Sequence, residues 1–119
     1  MKYYTKNHEW FDSETCKVGI TKNAQSKLGD IVFIKLPDIG NYYNQNDSTV
    51  VLKSIKSVFN VYTPVSCSII NVNYLLEDEP SLINKDPEGE GWIFKVNFDD
   101  SIEFDYLMSE EEYKEFVHD

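Results

Sequence analysis

Cysteine and histidine are nearly missing from this 119-residue chain, which has two of each. Cys16 and Cys67 follow no metal-ligand spacing. With only His8 and His118 to join them, a zinc centre or a Cys–His catalytic pair is hard to assemble. Both cysteines read as small, semi-apolar residues of a reducing compartment, with a disulfide between them left open. Long apolar runs are missing too. Nothing approaches the roughly 18–20 residues of a membrane span, and Met1–His8 lacks the apolar stretch of a signal peptide. The expected location is the cytoplasm, or the mitochondrial matrix if a transit peptide was removed. Cations are the third scarcity: 11 basic residues face 21 acidic ones, for a formal net charge of −10. Such a surface repels nucleic-acid phosphates and anionic lipid, so neither is an expected partner. It suits basic clefts on other proteins, or serves only to keep a small protein soluble.

What is present describes a folded protein. Hydrophobic residues make up 41% and aromatics 14%, too many for a disordered acidic tail. The length fits one domain, residues 1–119, with a core that needs no staples. Runs rich in Val, Ile, Phe, Tyr and Thr predict short strands at 17–20, 31–36, 49–52, 58–63, 68–72 and 92–98. Turn signals separate them: Leu28-Gly29-Asp30, Pro37 to Gly40, Asn44 to Asp47 and Pro64 to Cys67. Close-spaced short strands imply a mainly β sandwich or barrel. Helices are minor. Thr21 caps a predicted helix over 22–28, with Gly29 as its left-handed stop, and 80–84 can form one turn. At the C-terminus Ser109 and Glu112 spell a capping box, with Met108 and Tyr113 at the staple positions. Tyr113, Phe116 and Val117 follow at helical spacing, as a face to dock on the β domain. Residues 31–40 and 58–67 echo one another, each a strand followed by Pro and then a small residue, which suggests two similar hairpins.

Lys56 stands in Lys53-Ser54-Ile55-Lys56-Ser57, between two β-prone runs. Strand, short polar turn and strand make a hairpin, and Lys56 should project from its tip. The turn holds no glycine, which suits a type I geometry. An exposed lysine on a rigid base is what a swinging-arm carrier needs; in most proteins a lysine in a turn is only a solvated residue.

The ordered set of motifs resembles the glycine cleavage H-protein family over nearly the whole chain. His8-Glu9-Trp10 looks like that family's opening. Val18-Gly19-Ile20-Thr21, Ala24-Gln25, Leu28 to Phe33, Leu36-Pro37 and Gly40 follow in its order and spacing. Ser54-Ile55-Lys56 resembles its Ser-Val-Lys lipoylation motif. Val61 to Ser66, Asn71-Val72-Asn73, Asp86-Pro87 and Gly91-Trp92 continue the match. The resemblance implies a mainly β, lipoyl-domain-like barrel-sandwich hybrid with short helices and a C-terminal helix. It implies lipoate amide-linked to Lys56, with Lys53, Ser54, Ile55 and Ser57 as the recognition context. It also implies a carrier that catalyses nothing itself and shuttles an aminomethyl group between enzymes of the glycine cleavage system. Its partners would be glycine decarboxylase, aminomethyltransferase and dihydrolipoamide dehydrogenase, with a lipoate ligase or lipoyl transferase to load it.

The sequence departs from the family around the lysine. Lys53 stands where Glu is usual, bulky Val58 and Phe59 follow Ser57, and Asn46 and Cys67 replace turn glycines. Asn tolerates positive φ, whereas Cys does so poorly, so the turn at Cys67 is expected to differ. Two alternatives follow: an H-like protein relaying lipoyl groups or serving another lipoyl-dependent redox system, or an unmodified binding module. A biotin carrier lacks its Met-Lys-Met style of site here. His8 reads as a structural polar contact, no catalytic or metal-ligating set is assembled, and Asp86 to Gly91 reads as a turn, since two acids inside it would repel phosphate.

Overall fold

In the computed structural model, which describes residues 1–118, β-branched and aromatic runs pair into two antiparallel sheets that share one core. The strands are β1 (Lys2–Tyr4), β2 (Glu9–Asp12), β3 (Lys17–Ile20), β4 (Ile31–Lys35), β5 (Tyr42–Tyr43), β6 (Ser48–Ser54), β7 (Val58–Tyr62), β8 (Cys67–Val72) and β9 (Phe94–Phe98). The larger sheet has the order β1-β2-β3-β9-β8-β5 and the smaller β4-β6-β7. Neither closes on itself. The core is built from Phe11, Val18, Ile20, Leu52, Ile69 and Phe94 among others, drawn from both sheets.

The six sequence-predicted strands appear as β3, β4, β6, β7, β8 and β9, the last starting at Phe94 instead of Trp92. β1, β2 and β5 were not expected. β2 shows why: Glu9, Trp10 and Phe11 are all buried in succession, so the two-residue alternation that betrays a strand is absent. Gly19 lies opposite Trp10 in the β2–β3 ladder, and a Cβ there would meet the indole at 2.9 Å. Glycine is therefore the residue that lets Trp10 lie flat across the sheet, where its Nε1–H donates to the Pro87 carbonyl at 3.0 Å.

Helix α1 (Lys22–Leu28) begins and ends as its sequence dictates. Thr21 Oγ1 accepts from the Ala24 amide at 3.2 Å, and Gly29 adopts φ 79°. Helices α2 (Leu75–Asp78) and α3 (Ser81–Lys85) pack against β4; α2 was not expected, and α3 is the single turn predicted at 80–84. A 3₁₀ segment, Ser101–Tyr106, was also unexpected; it brings Phe104 onto Tyr3, Phe11 and Phe98.

The C-terminal helix α4 (Glu110–His118) carries its capping box as read. The Ser109 amide donates to Glu112 Oε1 at 3.0 Å, and the Glu112 amide donates to Ser109 Oγ at 3.2 Å. Tyr113 joins Tyr4 and Trp10 in a second buried cluster, flanked by Met108 and Val117. Phe116 departs from expectation: it is 40% exposed, with its ring centroid 5.9 Å from that of His8 and 6.4 Å from that of Tyr113. The helix presents Tyr113 inward, and Phe116, three residues on, falls at the edge of the buried stripe. Asp119, inside the predicted 1–119 span, lies outside the described residues.

The echo between 31–40 and 58–67 takes a different form from two hairpins. β4 and β7 are the two outer strands of the small sheet, each antiparallel to β6. After each comes a proline, Pro37 or Pro64, and the chain then crosses into the larger sheet as β5 or β8, which pair with one another. Among the former glycine positions, Asn46 takes φ 72° as expected of Asn. Cys67 needs no left-handed turn; it opens β8 fully buried, with its thiol pKa pushed up by that burial. Cys16 carries the unanticipated strain, at φ 63°. Both cysteines are free thiols.

Candidate functional site

The β6–β7 hairpin places Lys56 in the loop between Ser54 and Val58. No residue of the loop adopts positive φ, which explains how the turn forms without glycine. Ser54 does the work instead. Its Oγ accepts from the Lys56 amide at 3.2 Å and the Ser57 amide at 3.1 Å, and the Ser54 amide donates to the Ser57 carbonyl at 2.9 Å. A serine side chain that ties its own turn in this way substitutes for a backbone bond. The loop is also fastened to the body, because the Ile55 amide donates to the Asp30 carbonyl at 3.2 Å. Lys56 thus stands on a braced base.

The lysine itself is exposed, and its ammonium has no carboxylate within salt-bridge range among the described residues. Its stem runs past Gly29, where an added Cβ would lie 3.8 Å from Lys56 Cε, an ordinary van der Waals distance. The amine is therefore neither buried nor tied, which is what acylation and free swinging of an arm both require. Ile55 beside it is 70% exposed.

Lys53 and Ser57 belong to the same hairpin, but they play different parts. Lys53 pairs with Phe33 on one side and Val58 on the other, and its Nζ stands 5.2 Å from the Phe33 ring centroid. Phe33 and Val58 are 48% and 63% exposed, so an apolar row with a cation at its centre runs beneath the loop. Residues 48–62 contain two lysines and no acid; the hairpin is a positive island on a protein of net charge −10. Phe33 was not singled out from sequence. The register shift between Ile31 and Phe33 leaves Val32 and Phe33 both exposed in β4, and a bulge of that kind leaves no mark in a period-two pattern.

A second ionisable cluster ties the sheets together. Glu9 is 1% exposed; its Oε1 accepts from Thr5 Oγ1 at 2.8 Å and its Oε2 accepts from the Tyr62 amide at 2.7 Å. Burial pushes its pKa up to about 7 despite those two donors. Next to it, His8 at φ 66° puts Nδ1 2.8 Å from the Tyr113 hydroxyl, which lies 2.7 Å from Thr21 Oγ1. Desolvation, and then Lys27, lower the His8 pKa. A neutral imidazole accepting from Tyr113 satisfies the chain, so His8 is a structural contact between the first loop and α4. Asp86 to Gly91 is a turn as expected: the Gly91 amide donates to the Asp86 carbonyl at 2.8 Å.

Comparison with known proteins gives a consistent picture. The family model for the glycine cleavage H-protein matches residues 2–119. The glycine cleavage system H protein of Thermotoga maritima is 45% identical over 118 residues, covering 98% of this chain and 95% of that protein. The one from Coxiella burnetii is 40% identical, covering 97% and 91%. Among solved structures, a glycine cleavage system H protein from Mycobacterium marinum superposes with a TM-score of 0.84 at 30% identity, over 98% of this chain and 96% of that one.

Proposed function

The chain belongs to the glycine cleavage H-protein family, and from that premise we propose that Lys56 Nζ is where its lipoyl arm is amide-linked. Proteins of this family are lipoate carriers of a multienzyme system and not catalysts themselves. The observation that supports Lys56 is its place: an exposed, unpaired amine on a loop braced by Ser54 and Asp30.

A lipoyl group held there would supply a dithiolane able to accept an aminomethyl group and to be reoxidised afterwards. The chain's own residues supply the rest. Ser54 fixes the loop, Gly29 flanks the lysine stem without crowding it, and the paired strands β6 and β7 keep the attachment point from moving while the side chain above it turns. Acylation removes one positive charge from the hairpin and leaves a long, largely apolar tether. The partners of this reading are glycine decarboxylase, aminomethyltransferase, dihydrolipoamide dehydrogenase and a lipoate ligase or lipoyl transferase. The acidic remainder of the surface favours fast encounter with basic clefts on them without demanding tight binding. No helix among the described residues is long and apolar enough to cross a membrane.

Intact-mass spectrometry tests the assignment. Protein incubated with a lipoate ligase, lipoate and ATP should gain one lipoyl increment, mapping to Lys56. Lys56→Arg keeps the charge but offers no acylatable amine, so it should fold and gain nothing. A lipoyl increment on the Arg variant would refute the site.

A further inference from the structure

Four strand edges bound the two sheets, and three of them are blunted, by a bridge, by shortness or by a side-chain cap. β1 is bridged to Met108 by hydrogen bonds in both directions at 2.8 Å. β5 is only two residues long. At β4, Asn84 Oδ1 accepts from the Ile31 amide at 2.8 Å, Asn84 Nδ2 donates to the Ile31 carbonyl at 3.2 Å, and α2 and α3 pack alongside. The outer edge of β7 is different. Tyr62, Asn60 and Val58 alternate along one side of the strand, while Phe59 and Val61 share the other, facing β6 opposite Leu52 and Val50. The Tyr62 amide shows where the first set points, since it donates to Glu9 Oε2 away from β6. Beyond that clamp, the main-chain groups of Val58 and Asn60 have no partner among the described residues. β7 carries no charged residue, no proline and no outward bulge. Natural edges are normally blunted by such devices, and an edge without them is a template for another strand.

This edge begins two residues after Lys56. Any enzyme that acylates Lys56 must cover the loop, and the edge continues the surface it would cover. We propose that the open edge of β7 is the docking rail for the lipoate-loading enzyme, which adds an extended segment antiparallel or parallel to Val58–Asn60 through main-chain hydrogen bonds. Strand addition of this kind takes its affinity from the backbone and its selectivity from alternate side chains. Here those are the exposed Val58, which calls for an apolar residue opposite, and Lys53 one strand further in, which calls for an acidic residue on the diagonal. Glu9 sets the far end of the rail by occupying the Tyr62 amide. The inference rests on Lys56 being the acylated lysine.

Proline at position 60 gives the decisive variant, because it deletes an outward amide while leaving the β6 ladder its own hydrogen bonds. With a lipoate ligase, lipoate and ATP, Asn60→Pro should show a roughly tenfold lower initial rate of lipoylation at unchanged secondary structure, the scale expected for losing one or two intermolecular hydrogen bonds. Asn60→Thr, which keeps the amide but loses the Ser48 contact, should match the parent rate. Independently of any variant, hydrogen exchange of the parent protein should show the Val58 and Asn60 amides slowed when ligase is added, and fast in its absence. A parent-like rate for a folded Asn60→Pro, or unprotected amides in the complex, would overturn the proposal. So would protection that grows with protein concentration alone, which would give the edge to a second copy of the chain. If the parent protein gains no lipoyl group at all, it is the assignment of Lys56 that fails.

Discussion

Glu9→Gln isolates the cost of a buried carboxylate. Folding raises the Glu9 pKa from 4.5 to about 7, so the folded chain binds a proton there more tightly than the unfolded chain. Below about pH 4.5 both states hold the proton and the site is neutral to stability. Between there and about pH 7 the unfolded state releases it first, and stability falls as pH rises; above pH 7 the full penalty is present. A difference of about 2.5 pH units corresponds to roughly 3 kcal/mol at high pH, of which about 2–3 kcal/mol develops between pH 5 and pH 8. At roughly 4 °C per kcal/mol for a chain of this size, this is a fall in Tm of about 10 °C. Other carboxylates on a chain of net charge −10 add their own pH dependence, so the informative quantity is the difference between parent and variant. Gln keeps an acceptor for the Tyr62 amide and can donate to Thr5, and it does not titrate. Thermal melts of both proteins from pH 5 to 8 should therefore converge at the acid end and separate in the variant's favour at the alkaline end. Parallel curves would mean that folding does not raise the Glu9 pKa, and the reasoning would fail.

The remaining expectations concern the helix, the strained cysteine and the loop. Tyr113→Ala should lower stability by about 3–5 kcal/mol, as for a buried aromatic; Phe116→Ala, at 40% exposure, should cost about 1 kcal/mol or less. Urea melts separate the two, and equal losses would contradict the burial difference. Cys16→Gly should be neutral to stabilising by up to about 1 kcal/mol, because relief at φ 63° offsets the entropy of an added glycine; a clear loss would mean that the thiol's packing outweighs the strain. Lys53→Glu should change the initial rate of lipoylation, since the residue stands in the exposed row beside the loop. Identical rates under matched conditions would show that the ligase does not read this position.

Much of the architecture was legible in the chain because the signals were local. Thr21 and Gly29 bracket α1, Ser109 and Glu112 open α4, and the apolar runs of β3, β4, β6, β7, β8 and β9 stand between recognisable turns. What was hidden depends on distant residues. β2 was masked by Glu9, whose burial makes sense only once Thr5 and the Tyr62 amide are beside it. Phe116 read as core because helical spacing cannot say where a docked face ends. The loop chemistry at Ser54 was implicit in the absence of glycine. The brace from Asp30 and the exposed Phe33 came only with the pairing of β4 and β6.

The order in which the strands pair also sets the order in which they can form. The β6–β7 hairpin closes on itself through Ser54 and Ser57, so its own ladder of backbone bonds can form once residue 62 exists, although Val50, Leu52 and Val61 find their core neighbours Ile69 and Phe94 only later. The larger sheet waits much longer, because β3 pairs with β9 at Val18 and Phe94. Three N-terminal strands have no neighbour on that side until nearly the whole chain is available, and such distant pairings are the slow part of folding. On a ribosome, the lysine's hairpin could pair while the sheet it packs against was still missing its central strand.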